Sequence, residues 1–179
     1  MVTAAAQDKR RMTTPDLQET FQNLIERHKK ILYKVCNAYC RDRDSREDLA
    51  QEIMFQLWRS FAKFDGRCQF STWMYRIALN VAISFYRSEG ARTRLVIPDE
   101  QRLLQAVDKQ DHQADEIRTL YAFIADIDPL SKALILLYLD GNTHQEIADV
   151  VGITATNVAT KISRIKNQMK QDFRGTNRA

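Results

Sequence analysis

The chain has 179 residues, 44% hydrophobic and 28% charged, with 27 Lys and Arg against 23 Asp and Glu for a net charge of +4. That length suits one ordinary domain or two small ones, and the apolar content is enough for a buried core, which excludes a disordered chain. No apolar run reaches the length of a membrane span and nothing near Met1 has the basic-then-apolar form of a signal peptide, so the expected location is the cytoplasm.

Residues 1–13 lack apolar periodicity and read as a disordered leader. Thr14-Pro15-Asp16 marks a helix start, with Thr14 as cap and Pro15 in the first turn. Leu17, Phe21, Leu24, Ile25, His28, Ile31, Leu32, Val35 and Tyr39 then recur at three- and four-residue steps, one face of a long amphipathic helix. Ser45 and Asp48 have capping-box spacing ahead of a second helix, whose inward stripe is Leu49, Ile53, Leu57 and Phe61 and whose end is Asp65-Gly66. After a loop from Arg67 to Phe70, Ser71 is placed to cap a third helix, with Met74, Ile77, Ala78, Val81 and Phe85 inward, until Glu89-Gly90 stops it. Residues 14–90 thus form one helical domain.

Residues 91–113 show no sustained period and contain Pro98, the pattern of a flexible linker. Fully extended it would reach roughly 70 Å, at about 3.3 Å per residue. From Asp99 to Asp128 acidic residues dominate, a bias that suits either a solvated linker or a segment lying in a channel built for nucleic acid. A second domain, 114–174, opens with Ile117, Leu120, Tyr121 and Ile124, and residues 175–179 form a tail. Asp128-Pro129 caps a helix running through Leu130, Ala133, Leu134 and Leu137 to Gly141. With no strand-like alternation, the expected fold is all-α, two small helical domains joined by the linker.

The strongest local signal lies in the second domain. Thr143 and Glu146 form a capping box on a short helix, Gly152 is a left-handed stop, and Thr154 caps the next helix. Small Ala148 at the crossing, Ile153 after the turn, and Val158 and Ile162 inward complete helix-turn-helix spacing. The exposed face of the last helix carries Thr156, Asn157, Thr160, Lys161 and Arg164, with Lys166 beyond. Asn157 and Lys161 can bond base edges, Lys161, Arg164 and Lys166 can equally settle on phosphates, and Thr154 brings a helix amino terminus to the backbone. A plain helical hairpin with a solvated basic face would share each feature singly, though not their combination.

In the first domain Asp48, Gln51, Glu52 and Phe55 share one flank of the second helix, a surface fit for a basic protein partner. Acids near a helix start are favoured by its dipole in any case. The third helix interleaves Trp73, Tyr75, Phe85 and Tyr86 with Arg76, Asn80 and Arg87, as stacking on unpaired bases requires, although Trp73 and Phe85 suit the core as well.

No catalytic set is expected: Ser60, Ser71 and Ser84 lack a placed base, and His28, His112 and His144 are scattered. Cys36, Cys40 and Cys68 have neither CxxC spacing nor a companion His cluster, so reduced thiols are expected, with no metal and no cofactor. Two functions fit a helix-turn-helix tail taken by itself: a dimeric repressor or activator reading a palindrome, and a recombinase-type enzyme.

The segments EDLAQEIMFQLW, FSTWMYRIALNVAISFYR and DGNTHQEIADVVGITATNVATKISRIK resemble bacterial sigma factors of the extracytoplasmic-function group, over roughly Leu17 to Phe173. The resemblance implies that Asp48, Gln51, Glu52 and Phe55 bind core RNA polymerase. It implies that the loop Asp65, Gly66, Arg67, Cys68, Gln69 and Phe70 captures a flipped base of the minus-ten element, with Asn80 lining that pocket and Trp73, Arg76 and Arg87 on the strand. Thr154, Thr156, Asn157, Thr160, Lys161, Arg164 and Lys166 would read the minus-thirty-five duplex. Many relatives carry Lys where this chain has Ala159, which shifts the burden onto Asn157, Lys161 and Arg164. An anti-sigma partner follows from the resemblance alone.

Overall fold

The computed structural model describes residues 14–93, 120 and 122–176, all-α in six helices and one short helical segment. The leader, most of the linker and residues 177–179 of the tail lie outside the described residues. The first three helices are α1 (Thr14–Tyr39), α2 (Arg43–Phe61) and α3 (Phe70–Thr93). They close over Val35, Leu49, Ile53, Leu57, Phe61, Met74 and Ala78, each with no exposed surface. Burying each of these side chains other than Ala78 contributes roughly 1.5–3 kcal/mol.

Five expected boundaries shift, each for a local reason. The first helix already includes Thr14, so Thr14 is not the residue outside it that a cap must be. The second is capped by Asp42, not Ser45: the Asp42 carboxylate accepts from Ser45 N–H at 2.8 Å, leaving Ser45 inside the first turn. Both residues have capping chemistry, and the anion is the better match for the positive helix end. That helix ends at Phe61, ahead of Asp65-Gly66, and tight turns from Ser60 to Lys63 and Phe61 to Phe64 carry the Phe64 ring back onto Phe70 and Trp73. Helix α3 starts at Phe70 with Gln69 carbonyl accepting from Trp73 N–H, so Ser71 is not its cap. It then runs through Gly90 to Thr93, taking residues 91–93 from the linker. A glycine inside a helix costs about 1 kcal/mol, too little to end it by itself.

The second domain comprises a helical segment over 122–126, then α4 (Pro129–Leu139), α5 (His144–Val151) and α6 (Ala155–Thr176). Ile124, Leu134, Leu137, Ile147 and Val158 form its core. Asp128 caps α4 as expected, accepting from Leu130 N–H at 3.1 Å and Ser131 N–H at 3.0 Å, with Pro129 in the first turn. Partial burial would raise the Asp128 pKa, but hydrogen bonds from Ser131 and Leu130 outweigh it and hold the carboxyl below its usual 3.8. A lowered folded-state pKa means the cap stabilises fully above that usual value and is lost as pH falls through the lowered one. Asp128→Ala is therefore expected to lower unfolding free energy by about 1 kcal/mol near neutral pH. In urea titrations at stepped pH, that difference should close on acidification below 3.8.

The two domains dock, with α1 and α3 facing α4 and α5. Tyr39 hydroxyl donates to Pro129 carbonyl at 2.6 Å, and Arg41 pairs with Asp126 at 2.6 Å. Arg76 donates to Asp149 carbonyl at 2.7 Å, near the carboxyl end of α5. Lys34 and Tyr75 both donate to Asp140. Lys132, only 2% exposed, sits inside the seam with its ammonium 4.7 Å from the Tyr86 ring centre and 5.5 Å from that of Tyr39. Ring faces stabilise a desolvated cation, while burial foremost, with Arg41 nearby, lowers its pKa.

Candidate nucleic-acid interface

The helix-turn-helix forms from the punctuation in its sequence. Thr143 Oγ1 accepts from Glu146 N–H at 3.2 Å while Glu146 Oε2 accepts from Thr143 N–H at 2.7 Å, a reciprocal capping box. The Thr143 N–H, and the Thr143 hydroxyl donating to the same oxygen, hold the Glu146 carboxyl below its usual pKa. Gly152 takes φ of 80°, a left-handed stop, and its N–H bonds Ala148 carbonyl at 2.8 Å. Thr154 Oγ1 then accepts from Asn157 N–H at 3.3 Å, and Val158, Ile162 and Ile165 turn inward along α6. A side chain at Gly152 would meet nothing within 4 Å, so only the backbone resists it. Gly152→Ala is expected to cost about 1 kcal/mol, the penalty for a Cβ in left-handed conformation, read as an earlier thermal midpoint.

On the outward face of α6, Thr156, Asn157, Thr160 and Arg164 are exposed and Lys161 lies half-buried at its edge. Thr160 Oγ1 donates to Thr156 carbonyl at 3.0 Å, which fixes its rotamer. Lys166 does not join this set: it lies across the inward stripe, its ammonium 3.2 Å from Tyr138 hydroxyl and 5.2 Å from that ring's centre. The helical period, two residues past Arg164, carries it to the other side.

In the first domain the loop after α2 is closed on itself. Asp65 accepts from Arg67 N–H at 3.1 Å and pairs with Arg67 Nε at 2.8 Å, across Gly66 at φ 73°. Gly66, Arg67 and Gln69 are exposed and Cys68 is half-buried. Phe70 departs from the expected strand-binding set, because at 7% exposure it faces Phe61, Phe64 and Trp73 and supports the loop from beneath. Trp73 is half-buried in the same ring cluster, and Phe85 likewise packs against the core. Arg76, Asn80 and Arg87 are exposed at helical spacing on one face of α3.

Asp48, Gln51, Glu52 and Phe55 all stand exposed on α2, Phe55 at 57%, on the flank opposite Leu49, Ile53 and Leu57. Trp58, one turn after Phe55, is 39% exposed and meets Phe21 edge-on at 5.1 Å. It extends this surface, and its place three residues after Phe55 is the sequence signal that marks it. Among the residues that link the domains, Lys34, Lys132 and Asp140 carry no comparable mark.

The description "Sigma-70 region 2" matches residues 24–92, and "Sigma-70, region 4" matches residues 118–169. The chain is 28% identical over 155 residues to ECF RNA polymerase sigma factor SigX of Bacillus subtilis, covering 80% of this chain and 78% of that protein. It is 25% identical over 169 residues to SigW of the same organism, covering 88% and 90%. Among solved structures, CnrH in complex with the cytosolic domain of CnrY superposes with a TM-score of 0.66 at 20% identity, over 96% of this chain and 95% of that one. The sigma factor RpoE of Bartonella quintana, in complex with the anti-sigma factor NepR, gives 0.59 at 16% identity, over 87% and 95%. Those structures share its two-domain helical fold, and with both family regions matched in order, the chain belongs to the sigma-70 family as a factor of the extracytoplasmic-function type.

Proposed function

We propose that the chain directs core RNA polymerase to specific promoters by dividing the work between its domains. Exposed Asp48, Gln51, Glu52 and Phe55 on α2 hold the polymerase. The loop 65–69, with Trp73, Arg76, Asn80 and Arg87 on α3, holds the melted minus-ten strand. Thr154, Thr156, Asn157, Thr160, Lys161 and Arg164 read the minus-thirty-five duplex. The single observation that carries the reading is the helix-turn-helix, capped at both helices and presenting an outward polar and basic face. The polymerase performs the chemistry, the factor works in the cytoplasm beside it, and no cofactor is needed. By analogy with the complexes of CnrH and RpoE, a second protein that holds the factor inactive is part of the proposal.

Co-elution separates this reading from a free-standing repressor or activator. Mixed with purified core polymerase, the chain should migrate as a stoichiometric complex. A chain that ignores core polymerase yet binds an operator duplex tightly by itself belongs to the other class.

A further inference from the structure

A groove of about 360 Å³ opens between the domains, beside the loop proposed to hold the minus-ten strand. Arg27, Lys30 and Lys34 line it from α1, Gln69 and Ser71 from the head of α3, and Tyr75 from one turn further on. The three cations recur at three- and four-residue steps, so they share one helix flank, where like charges destabilise a helix unless an anion meets them.

In the docked chain that anion is Asp140, the one carboxylate among the lining residues. Lys34 Nζ donates to its Oδ1 and Tyr75 hydroxyl to its Oδ2. Asp140 caps the carboxyl end of α4, where the helix dipole disfavours a negative charge, so it gains by reaching these donors. Two donors converging on two oxygens of one anion, with further cations behind, is the arrangement a phosphate group requires. The strand captured at Gln69 would next pass Ser71 and Tyr75 along the floor of this groove.

We propose that Arg27, Lys30, Lys34 and Tyr75 form a phosphate-binding station for the melted minus-ten strand, and that Asp140 fills it when the domains are docked. This rests on the promoter-binding reading above and adds residues to it. Strand and Asp140 then compete for the same donors, so strand binding and domain docking oppose each other by reciprocal linkage. Duplex reading by α6 needs none of these groups and is unaffected.

The test uses holoenzyme made with the full chain and two fluorescent probes from a promoter it transcribes: a duplex minus-thirty-five probe, and a fork carrying the minus-ten strand unpaired. Lys30→Gln with Lys34→Gln should weaken fork binding about tenfold and flatten its salt dependence by about 1.4 in log–log slope, at about 0.7 per neutralised single-strand phosphate. Binding to the duplex probe should not change. Arg27→Gln, at an exposed position that cannot unfold the core, should act in the same direction by severalfold. In the free chain, Asp140→Asn should raise affinity for the single strand and lengthen the distance between dyes on the two domains.

Unchanged fork affinity in both cation variants, or an Asp140→Asn chain that binds strand no better, would overturn the station. So would displacement of the strand by a nucleoside triphosphate at concentrations far below those of competing single strand, which would assign the groove to a free nucleotide. Failure of the wild-type holoenzyme to transcribe would instead count against the promoter-binding reading itself.

Discussion

Replacing Asp48 and Glu52 together with alanine is expected to weaken binding to core RNA polymerase by about thirtyfold or more, while the thermal midpoint stays within a few degrees. Both side chains are exposed, and the residues beneath them on α2, Leu49 and Ile53, bury the other face completely. Removing the carboxylates therefore leaves the core alone. Their isolated worth in water is small, since exposed ion pairs contribute about 0.2–1 kcal/mol. Covered by a basic partner beside Phe55, each would leave a desolvated cation unpaired when truncated, a loss of about 2 kcal/mol or more. The expected thirtyfold corresponds to about 2 kcal/mol in all, since truncations in one patch do not add. Titrating labelled core polymerase with each variant gives the number; an unchanged affinity would remove this flank from the proposed polymerase-binding surface.

The second large effect belongs to α6. Asn157→Ala should cost about 1–3 kcal/mol on the preferred minus-thirty-five duplex and relax preference at a single base pair, because a side-chain amide reads a base edge through paired hydrogen bonds. Arg164→Ala, about two turns further along the same exposed face, should instead weaken binding to every duplex alike and lower the salt slope by about 0.9, the value for one phosphate no longer neutralised. Holoenzyme binding to single-position variants of the element separates the two. Equal losses on all sequences for Asn157→Ala would move that residue from base reading to the backbone. Lys166→Ala should have little effect on either measure, given its seat on Tyr138.

The carboxyl-terminal motif is readable from sequence because every part of it is local. A capping box, a left-handed glycine and a threonine cap each act within four residues, and Thr143, Gly152 and Thr154 all stand where their spacing places them. The start of α2 is less legible because two residues with capping chemistry lie three apart, and Asp42 prevails over Ser45 because a carboxylate suits the positive helix end better than a neutral hydroxyl. The end of α2 escapes the sequence pattern because packing of Phe64 against Trp73 and Phe70 decides it, and packing across a loop leaves no periodic trace.

Domain docking is out of reach for the same reason. Lys132 reads as a solvated charge in any helical window, yet it is buried between Tyr39 and Tyr86, residues distant in sequence from it and from each other. Arg76 is legible as a cation beside aromatics, but its bond to the Asp149 carbonyl requires the two domains to be brought together first. The site residues of the first domain become specific only through resemblance to sigma factors. The burial of Phe70 sets it apart from that set by geometry, as the inward turn of Lys166 sets it apart from the outward face of α6.

Run-off transcription is the decisive experiment for promoter direction: purified core polymerase, linear genomic fragments from upstream of host genes, and the chain present or absent. Discrete transcripts should appear only with the chain, their start points should share two upstream elements at fixed spacing, and they should vanish when either element is scrambled. Transcripts independent of the chain, or none on any fragment while the chain binds the same duplexes tightly by itself, would show that it does not direct the polymerase.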